Sequence, residues 1–482
     1  MHKRSTTAQL RAATCTAFLV VGLSALSSIC LAQKPSLPDA PSTHLLGAFA
    51  QATAPQGPLP PQSPQTPASA QNAQPAGPQL TLAQAEQMAI KNNPNISIAR
   101  LLALAQAQVT REVRSAELPT AVSDLTAVDA HKNSRITAGY LSNPSIHDRA
   151  AGGLTVSQLI TDFGHTHNLV LSARSTARAQ LESERATELD ITLTVDQAFY
   201  QALTAQAVLK VAQSTVDQRQ ATDDQVRALT NSKIRSDLDL SFADVQLSQA
   251  KLLLLDAQNN EQASMATLND VLGSEQDLQY TLVDETSGTP PPPPDNPETM
   301  LQPAFAARPD LAALNDQFIA ARQYRTAERD LWMPTISAMG AVGGTPVRSD
   351  QIQSSWYGTA GANISIPVFN GFLFNAQEKE AKLRAEAAQE NVRNLRDLIA
   401  RDVRTAVLNA QTAYQRIAVT QQLLDQANFA LDLATARYKI GLSGIVEMTE
   451  AQLNQTQAEI ACANARYAYQ TALAVVRFQM GQ

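Results

Sequence analysis

VDQAFYQALTAQAVLKVAQSTV, residues 195–216, and VRTAVLNAQTAYQRIAVTQQLL, residues 403–424, are one helical pattern written twice, 208 residues apart. In the first copy Val195, Phe199, Ala202, Ala205, Leu209, Ala212 and Val216 step by three or four residues. In the second, Val403, Val407, Ala410, Ala413, Ile417, Thr420 and Leu424 do the same. That spacing keeps one apolar stripe against a partner helix. A second row (Leu203, Ala207, Val211) lies off the first stripe, so the helix meets neighbours on two sides. A two-stranded coil needs one stripe; a ring of helices needs two.

The duplication extends outward from this pattern. The 208-residue shift also pairs Ala198 with Ala406, Asp239 with Glu447, Ala243 with Ala451 and Gly273 with Gly481. Pro94 and Pro119 stand 25 residues apart, as do Pro309 and Pro334. Asp162-Phe163-Gly164 is expected to correspond to Phe369-Asn370-Gly371. The repeats are placed at 80–273 and 298–482, joined by a Pro-rich connector over 274–297 whose Pro290–Pro294 run predicts extended chain. Each reads helix, strand pair, long helix, tip, helix. A helix from Leu82 breaks at Asn92-Asn93-Pro94, and Pro94 opens the next, which Pro119 ends. A long helix is predicted from about His167 to Leu229 and a shorter one from about Leu238 to Leu272. At ~1.5 Å per residue the long helix spans roughly 95 Å. Two short helices stacked beside it would complete a cylinder wall, a length hard to justify in a globular enzyme.

Strands are predicted between Pro119 and Gly164 and between Pro334 and Gly371. From Trp356 to Ile366 one face is apolar and the other polar, the pattern of a lipid-facing barrel strand. Thr335–Val342 suits its antiparallel partner, with 343–355 as the loop between them. In the first-half pair, about 120–131 and 152–163, Asp124 and Asp129 need inward-facing positions. Four strands cannot close a barrel, and an open edge is forbidden in lipid; three copies would supply twelve strands. Trp332 precedes one strand, while Phe369, Phe372 and Phe374 follow its partner, on the side where helices begin. Such residues fit a membrane-interface girdle or the packing of helix on sheet.

A net charge of −7 and the absence of any Lys/Arg run argue against a nucleic-acid partner. Residues 1–32 read as a secretory signal: Lys3, Arg4 and Arg11 precede a short apolar stretch, and cleavage is simplest after Ala32. Residues 33–79, rich in Pro, Gln, Ala and Ser, form an expected disordered leader. No later apolar run reaches membrane-helix length. Only Cys462 stands outside the signal, which precludes an internal disulfide in the mature chain.

The stretch ARYKIGLSGIVEMTEAQL, residues 436–453, with its first-repeat counterpart from Ser236 to Ala243, resembles the hairpin tips of the outer membrane efflux protein family, the TolC-like channels. The resemblance covers both repeats. It implies a mainly α fold with transmembrane β: long helical hairpins forming a trimeric α-barrel continuous with a twelve-stranded β-barrel, four strands per protomer. It further implies residence in the outer membrane of a Gram-negative bacterium, with a helical tunnel in the periplasm. An exit channel for a tripartite efflux or type I secretion system is then expected. Its expected partners are a periplasmic adaptor and an inner-membrane transporter of RND, ABC or MFS type. Glu447 and Glu450 match the paired acidic residues at the periplasmic entrance, and Tyr438 and Asp239 the inter-hairpin closing contacts. Arg437, Gly441, Ser443, Gly444 and Ser236 fall at the tips, where docking is expected. Leu238 stands where the family has a polar residue, and Ser443 where its best-characterised member has a basic one. Closure is therefore expected to rest on packing and Tyr438 more than on a charged lock.

No catalytic constellation or cofactor motif is present. His165 and His167 lack the Cys or carboxylate cluster of a metal site, so a structural or solvated role is expected. Cys462 takes the place of Leu254, as a small packing residue. A periplasmic adaptor would need one hairpin flanked by strand-rich lipoyl-like halves, and a coiled-coil scaffold would lack the alternating strands.

Overall fold

The computed structural model describes residues 78–129, 131, 148–274, 278–285, 290–347 and 354–482. The signal and nearly all of the leader lie outside them. The first repeat runs β1 (Gln79–Leu80), α1 (Leu82–Asn92), α2 (Pro94–Ser115), β2 (Thr120–Val128), β3 (Arg149–Thr161), α3 (His165–Asn231) and α4 (Asp237–Val271). After β4 (Thr281–Leu282), the second runs α5 (Glu298–Ala307), α6 (Pro309–Asp330), β5 (Thr335–Val347), β6 (Trp356–Ser365), α7 (Leu373–Lys439) and α8 (Ile445–Gln479). A shift of 208 carries α3 onto α7 and α4 onto α8, first residue to first and last to last. Each long helix has 67 residues, about 100 Å of rise.

Local chemistry sets the boundaries. Thr81 and Gln84 form a reciprocal capping box at the start of α1. The Asn93 side chain accepts from the Asn95 amide and donates to the Val271 carbonyl at 3.0 Å, so one residue opens α2 and ties it to the end of α4. Gln79, assigned to the leader from its composition, instead pairs in parallel with Thr281 in a two-residue ladder. The Pro-rich connector is held by Tyr469, whose hydroxyl donates to the Pro291 carbonyl, and by Gln411 on Pro294 at 2.9 Å.

The strand-to-helix junctions correct the expected alignment. Left-handed backbone occurs at Phe163 and Gly164 in the first copy and at Gly371 and Phe372 in the second. These positions differ by 208, so Phe163 faces Gly371 and Gly164 faces Phe372, one residue from the expected pairing. Both copies hold two consecutive left-handed residues and fill them with Phe and Gly in opposite order.

The four long strands form an antiparallel sheet in the order β2-β3-β5-β6. β5 continues five residues beyond the expected end. Gly343 and Gly344, assigned to the hairpin loop, are ladder residues opposite Tyr357 and Trp356. At Gly343 the lack of a side chain has a steric reason: a Cβ there would strike the Tyr357 ring. Register divides the sheet into two faces. One carries Leu125, Leu154, Val156, Val342, Trp356 and Ile364, all exposed in the protomer. The other carries Thr120, Thr155, Ser157, Thr359 and Asn363 together with Asp124, which therefore takes the polar face.

No seam residue of α3 or α7 named above is exposed. Val195, Phe199 and Ala202 join Leu80, Ala85 and Ala89 in the largest core cluster, where β1, α1 and α4 wrap the middle of α3.

Gly273 and Gly481 end the two repeats at φ +69° and +76°. A Cβ there would lie 2.8 Å from the backbone of Asn92 or of Ala307, where the shorter helices break. Gly273→Ala is expected to destabilise the fold by about 1–3 kcal/mol through combined left-handed strain and backbone collision. Thermal unfolding followed by far-UV circular dichroism in detergent reads this directly; an unchanged midpoint would contradict it.

Candidate pore entrance and inter-hairpin contacts

The two hairpins turn by the same device. In the first, the Lys233 amide donates to Thr230 and the Ile234 amide to Leu229; in the second, Gly441 donates to Tyr438 and Leu442 to Arg437. Both are Schellman endings around a left-handed residue, Lys233 at φ 60° and Gly441 at φ 80°. Ser236 then caps α4, its Oγ accepting from the Asp239 amide at 3.2 Å. Gly444 precedes α8 without a side-chain cap.

Between the tips Val226, Ala243, Tyr438, Ile445 and Met448 form a buried apolar cluster joining both hairpins, with Leu240 against it. Tyr438 is 2% exposed. Arg235, which sequence reasoning did not single out, donates to the Tyr438 carbonyl at 2.8 Å and lies 4.3 Å from its ring centroid. Burial pushes the Tyr438 hydroxyl above its ordinary pKa, with nearby Asp239 adding to the rise and Arg235 opposing it. Glu447 is half-exposed and pairs with Arg437 at 3.4 Å; Glu450, one turn on, is exposed. Ser443 Oγ is buried without a partner, whereas a Cβ at Gly441 or Gly444 would meet nothing within 4 Å. Ser443 is thus recessed, while the two glycines lie open.

Above this cluster the α3–α8 contact changes character. Thr215 meets Thr456 at 3.5 Å, and Gln452 donates to Thr222 at 3.2 Å. Arg219, 4% exposed, is buried among them; its Nη1, Asp223 Oδ1 and Gln452 Oε1 all lack hydrogen-bond partners. Burial pulls the Arg219 guanidinium down to about 10. Asp223 still pairs with Arg227, which also holds Asp244 on α4.

A second charged cluster sits in the central girdle. Asp196, buried on α3, lies beside Glu86 of α1 and 3.9 Å from Arg477 of α8. Burial and then Glu86 push its carboxyl up to about 7 against the opposing pull of Arg477.

At the strand ends, Trp332 meets Phe374 edge-on with centroids 5.5 Å apart, and Phe369 meets Phe372 at 5.7 Å. Phe369 and Phe372 remain largely exposed. Trp356, at the opposite end of the sheet and on its apolar face, is a further interface candidate that sequence reasoning passed over. His165 Nδ1 lies 2.8 Å from the Ala327 carbonyl, and His167 Nδ1 lies 3.8 Å from Glu117. Both are structural contacts. Among the described residues no group of three or more His, Cys, Asp and Glu could hold a metal ion.

The profile of the family described as "Outer membrane efflux protein" matches residues 85–274 and 300–482. Outer membrane protein TolC of Salmonella enteritidis is 24% identical over 419 residues, 83% of each chain. The probable efflux pump outer membrane protein TtgC of Pseudomonas putida is 24% identical over 386 residues, 78% of each chain. The outer-membrane channel OprN superposes with a TM-score of 0.73 at 19% identity, covering 83% of this chain and 89% of its own.

Two substitutions probe the buried charges. Arg219→Met is expected to raise thermal stability by about 1–3 kcal/mol, because an apolar chain of similar length replaces a buried cation lacking full compensation. For Asp196 the folded pKa lies above the unfolded one. Its contribution is therefore full on the acid side and lost as pH rises through about 7. The unfolding midpoint should climb by a few degrees between pH 8 and pH 5, and Asp196→Asn should flatten that climb while raising the pH 8 midpoint. A variant that tracks wild type across this window would rule the pair out.

Proposed function

Because the chain belongs to the outer membrane efflux protein family and resides in the outer membrane of a Gram-negative bacterium, we propose that it is the exit channel of a tripartite efflux or type I secretion system. Substrate passes from an inner-membrane transporter to the exterior. The observation that carries this reading is the combination of two 67-residue helices with a four-stranded sheet whose outer strands, β2 and β6, have no further neighbour among the described residues of the protomer. Backbone groups on such edges must be paired before the sheet can enter hydrocarbon. A homotrimer meets that demand with twelve strands, the apolar face toward lipid and the polar face toward a water-filled lumen.

On this reading the segment 1–32 exports the chain. Trp332, Phe369, Phe372 and Phe374 sit at the periplasmic interface of the membrane. The hairpin tips face a periplasmic adaptor and, through it, an RND, ABC or MFS transporter. Ile234, Leu238, Ile440 and Leu442 are all exposed at the turns, and Gly441 and Gly444 leave room for close approach. Glu447 and Glu450, with Asp239 nearby, ring the entrance; the Tyr438 cluster holds the hairpins together at rest. Arg437, Ser443 and Ser236 shape the tips from which the adaptor is read. The protein conducts; it does not catalyse.

Bilayer recording of the purified full-length protein tests this. Wild type should carry current that multivalent cations block from one side. Glu447→Ala with Glu450→Ala should raise the blocking concentration about tenfold, a loss of ~1.4 kcal/mol. Unchanged block would remove both residues from the entrance, and absence of current would refute the channel itself.

A further inference from the structure

Resting on the channel reading above, we infer that the luminal wall near the outer mouth carries a binding site for organic cations, built from the face of Tyr357 and the carboxylate of Asp124. Asp124 pairs with Gly153, Gly153 with Gly343, and Gly343 with Tyr357, one straight row across all four strands. Directly opposed residues share a face, and this is the polar one. The row lies in the half of the sheet remote from the helices, because α2 and α6 enter β2 and β5, and β3 and β6 leave for α3 and α7, at the other end.

The two glycines let the tyrosine lie down. A Cβ on Gly343 would strike Cζ and the hydroxyl of Tyr357, and one on Gly153 would strike the same hydroxyl. The ring therefore lies across two neighbouring strands, with glycine backbone beneath it and its other face toward the lumen. Tyr357 remains 41% exposed in the protomer. Its hydroxyl reaches β3, and the next position in the row, ~5 Å further by strand spacing, is Asp124.

Face and carboxylate together select a class of ligand. The π face attracts a cation within about 6 Å of its centroid, best when the cation is poorly hydrated. The carboxylate supplies net charge, and the low-dielectric wall of a barrel focuses its field. A small inorganic ion keeps its water and engages only the charge. An alkylammonium or arylammonium engages both, and Val122 and Ala341 on the same face offer apolar contact. Asp124 and Arg149 are the two charged residues within the four strands. Arg149 lies four residues further out, ~13 Å along β3 by backbone spacing. Asp124 is the one charged residue in the row itself. Three copies would place three such shelves around the exit, where a leaving cation pauses.

The test is photolabelling of the full-length protein in nanodiscs with an aryl-azide-bearing trimethylammonium, mapped by peptide mass spectrometry, with potassium current recorded on the same preparations. Label is expected on polar-face residues of β3, β5 or β6, competed by tetraethylammonium. It should fall about fivefold in Tyr357→Ala and in Asp124→Asn, and persist in Tyr357→Phe. Asp124→Asn leaves the ring's glycine bed intact, so the prediction survives any folding defect in Tyr357→Ala. Label spread evenly along the chain, or undiminished in both variants, would overturn the site while a normal current left the channel standing. A protein without current would overturn the channel reading and this inference with it.

Discussion

In hydrocarbon a backbone amide or carbonyl has no water to fall back on, and each one left unpaired costs several kcal/mol. This constraint organises the whole chain. Four strands satisfy one another through three antiparallel ladders and, among the described residues, leave the outer sides of β2 and β6 unmet. A helix could have spanned lipid alone, but no helix among the described residues is long and apolar enough to do so. The long helices accordingly carry apolar stripes thinned by Ala, Thr and Gln, suited to helix packing in water. Membrane and tunnel use one chain with two solutions to the same hydrogen-bonding demand.

The two repeats show which features this architecture holds fixed. The lengths of α2 and α6, α3 and α7, and α4 and α8 agree residue for residue, and so do the positions of left-handed backbone, although the side chains differ. Phe163-Gly164 becomes Gly371-Phe372, and Lys233 becomes Gly441. At Gly273 and Gly481 the residue itself is retained, because backbone from the neighbouring helix break leaves no room for a Cβ. Where only φ is demanded, the chain tolerates a strained non-glycine residue; where φ and close approach are both demanded, glycine alone serves.

That distinction also explains what could be read in advance. Helix identity and order were legible because periodicity and proline spacing are local and repeated; the predicted ends of α3 and α4 fall within two residues of those observed. The strand pairing was legible from alternation. Gly343 and Gly344 were misassigned because a glycine pair normally marks a turn, whereas here both are ladder residues and Gly343, with Gly153, makes a bed for a ring fourteen residues away in sequence. Arg235, the Glu86–Asp196 pair and the Arg219 cluster left no sequence signal. Each depends on helices from different repeats, or from the two ends of one repeat, meeting at a level that no spacing rule encodes.

The inter-hairpin contact can be understood as two layers with opposed energetics. At the tip, Tyr438, Val226, Ile445 and Met448 bury apolar surface and Arg235 adds a charge-assisted bond to a helix-ending carbonyl; both favour contact, against the cost of a buried, unpartnered Tyr438 hydroxyl and Ser443 Oγ. Higher up, between α3 and α8, Arg219, Asp223 and Gln452 each keep at least one buried atom without a hydrogen bond. Such groups gain hydration when the helices part. An all-apolar contact along the full hairpin would hold two rods together too firmly to separate. An all-polar one would not close them. If the tips are the entrance, the combination lets a modest docking energy at the apolar layer release strain already held in the polar layer, so that opening requires far less than breaking the whole length of the wall.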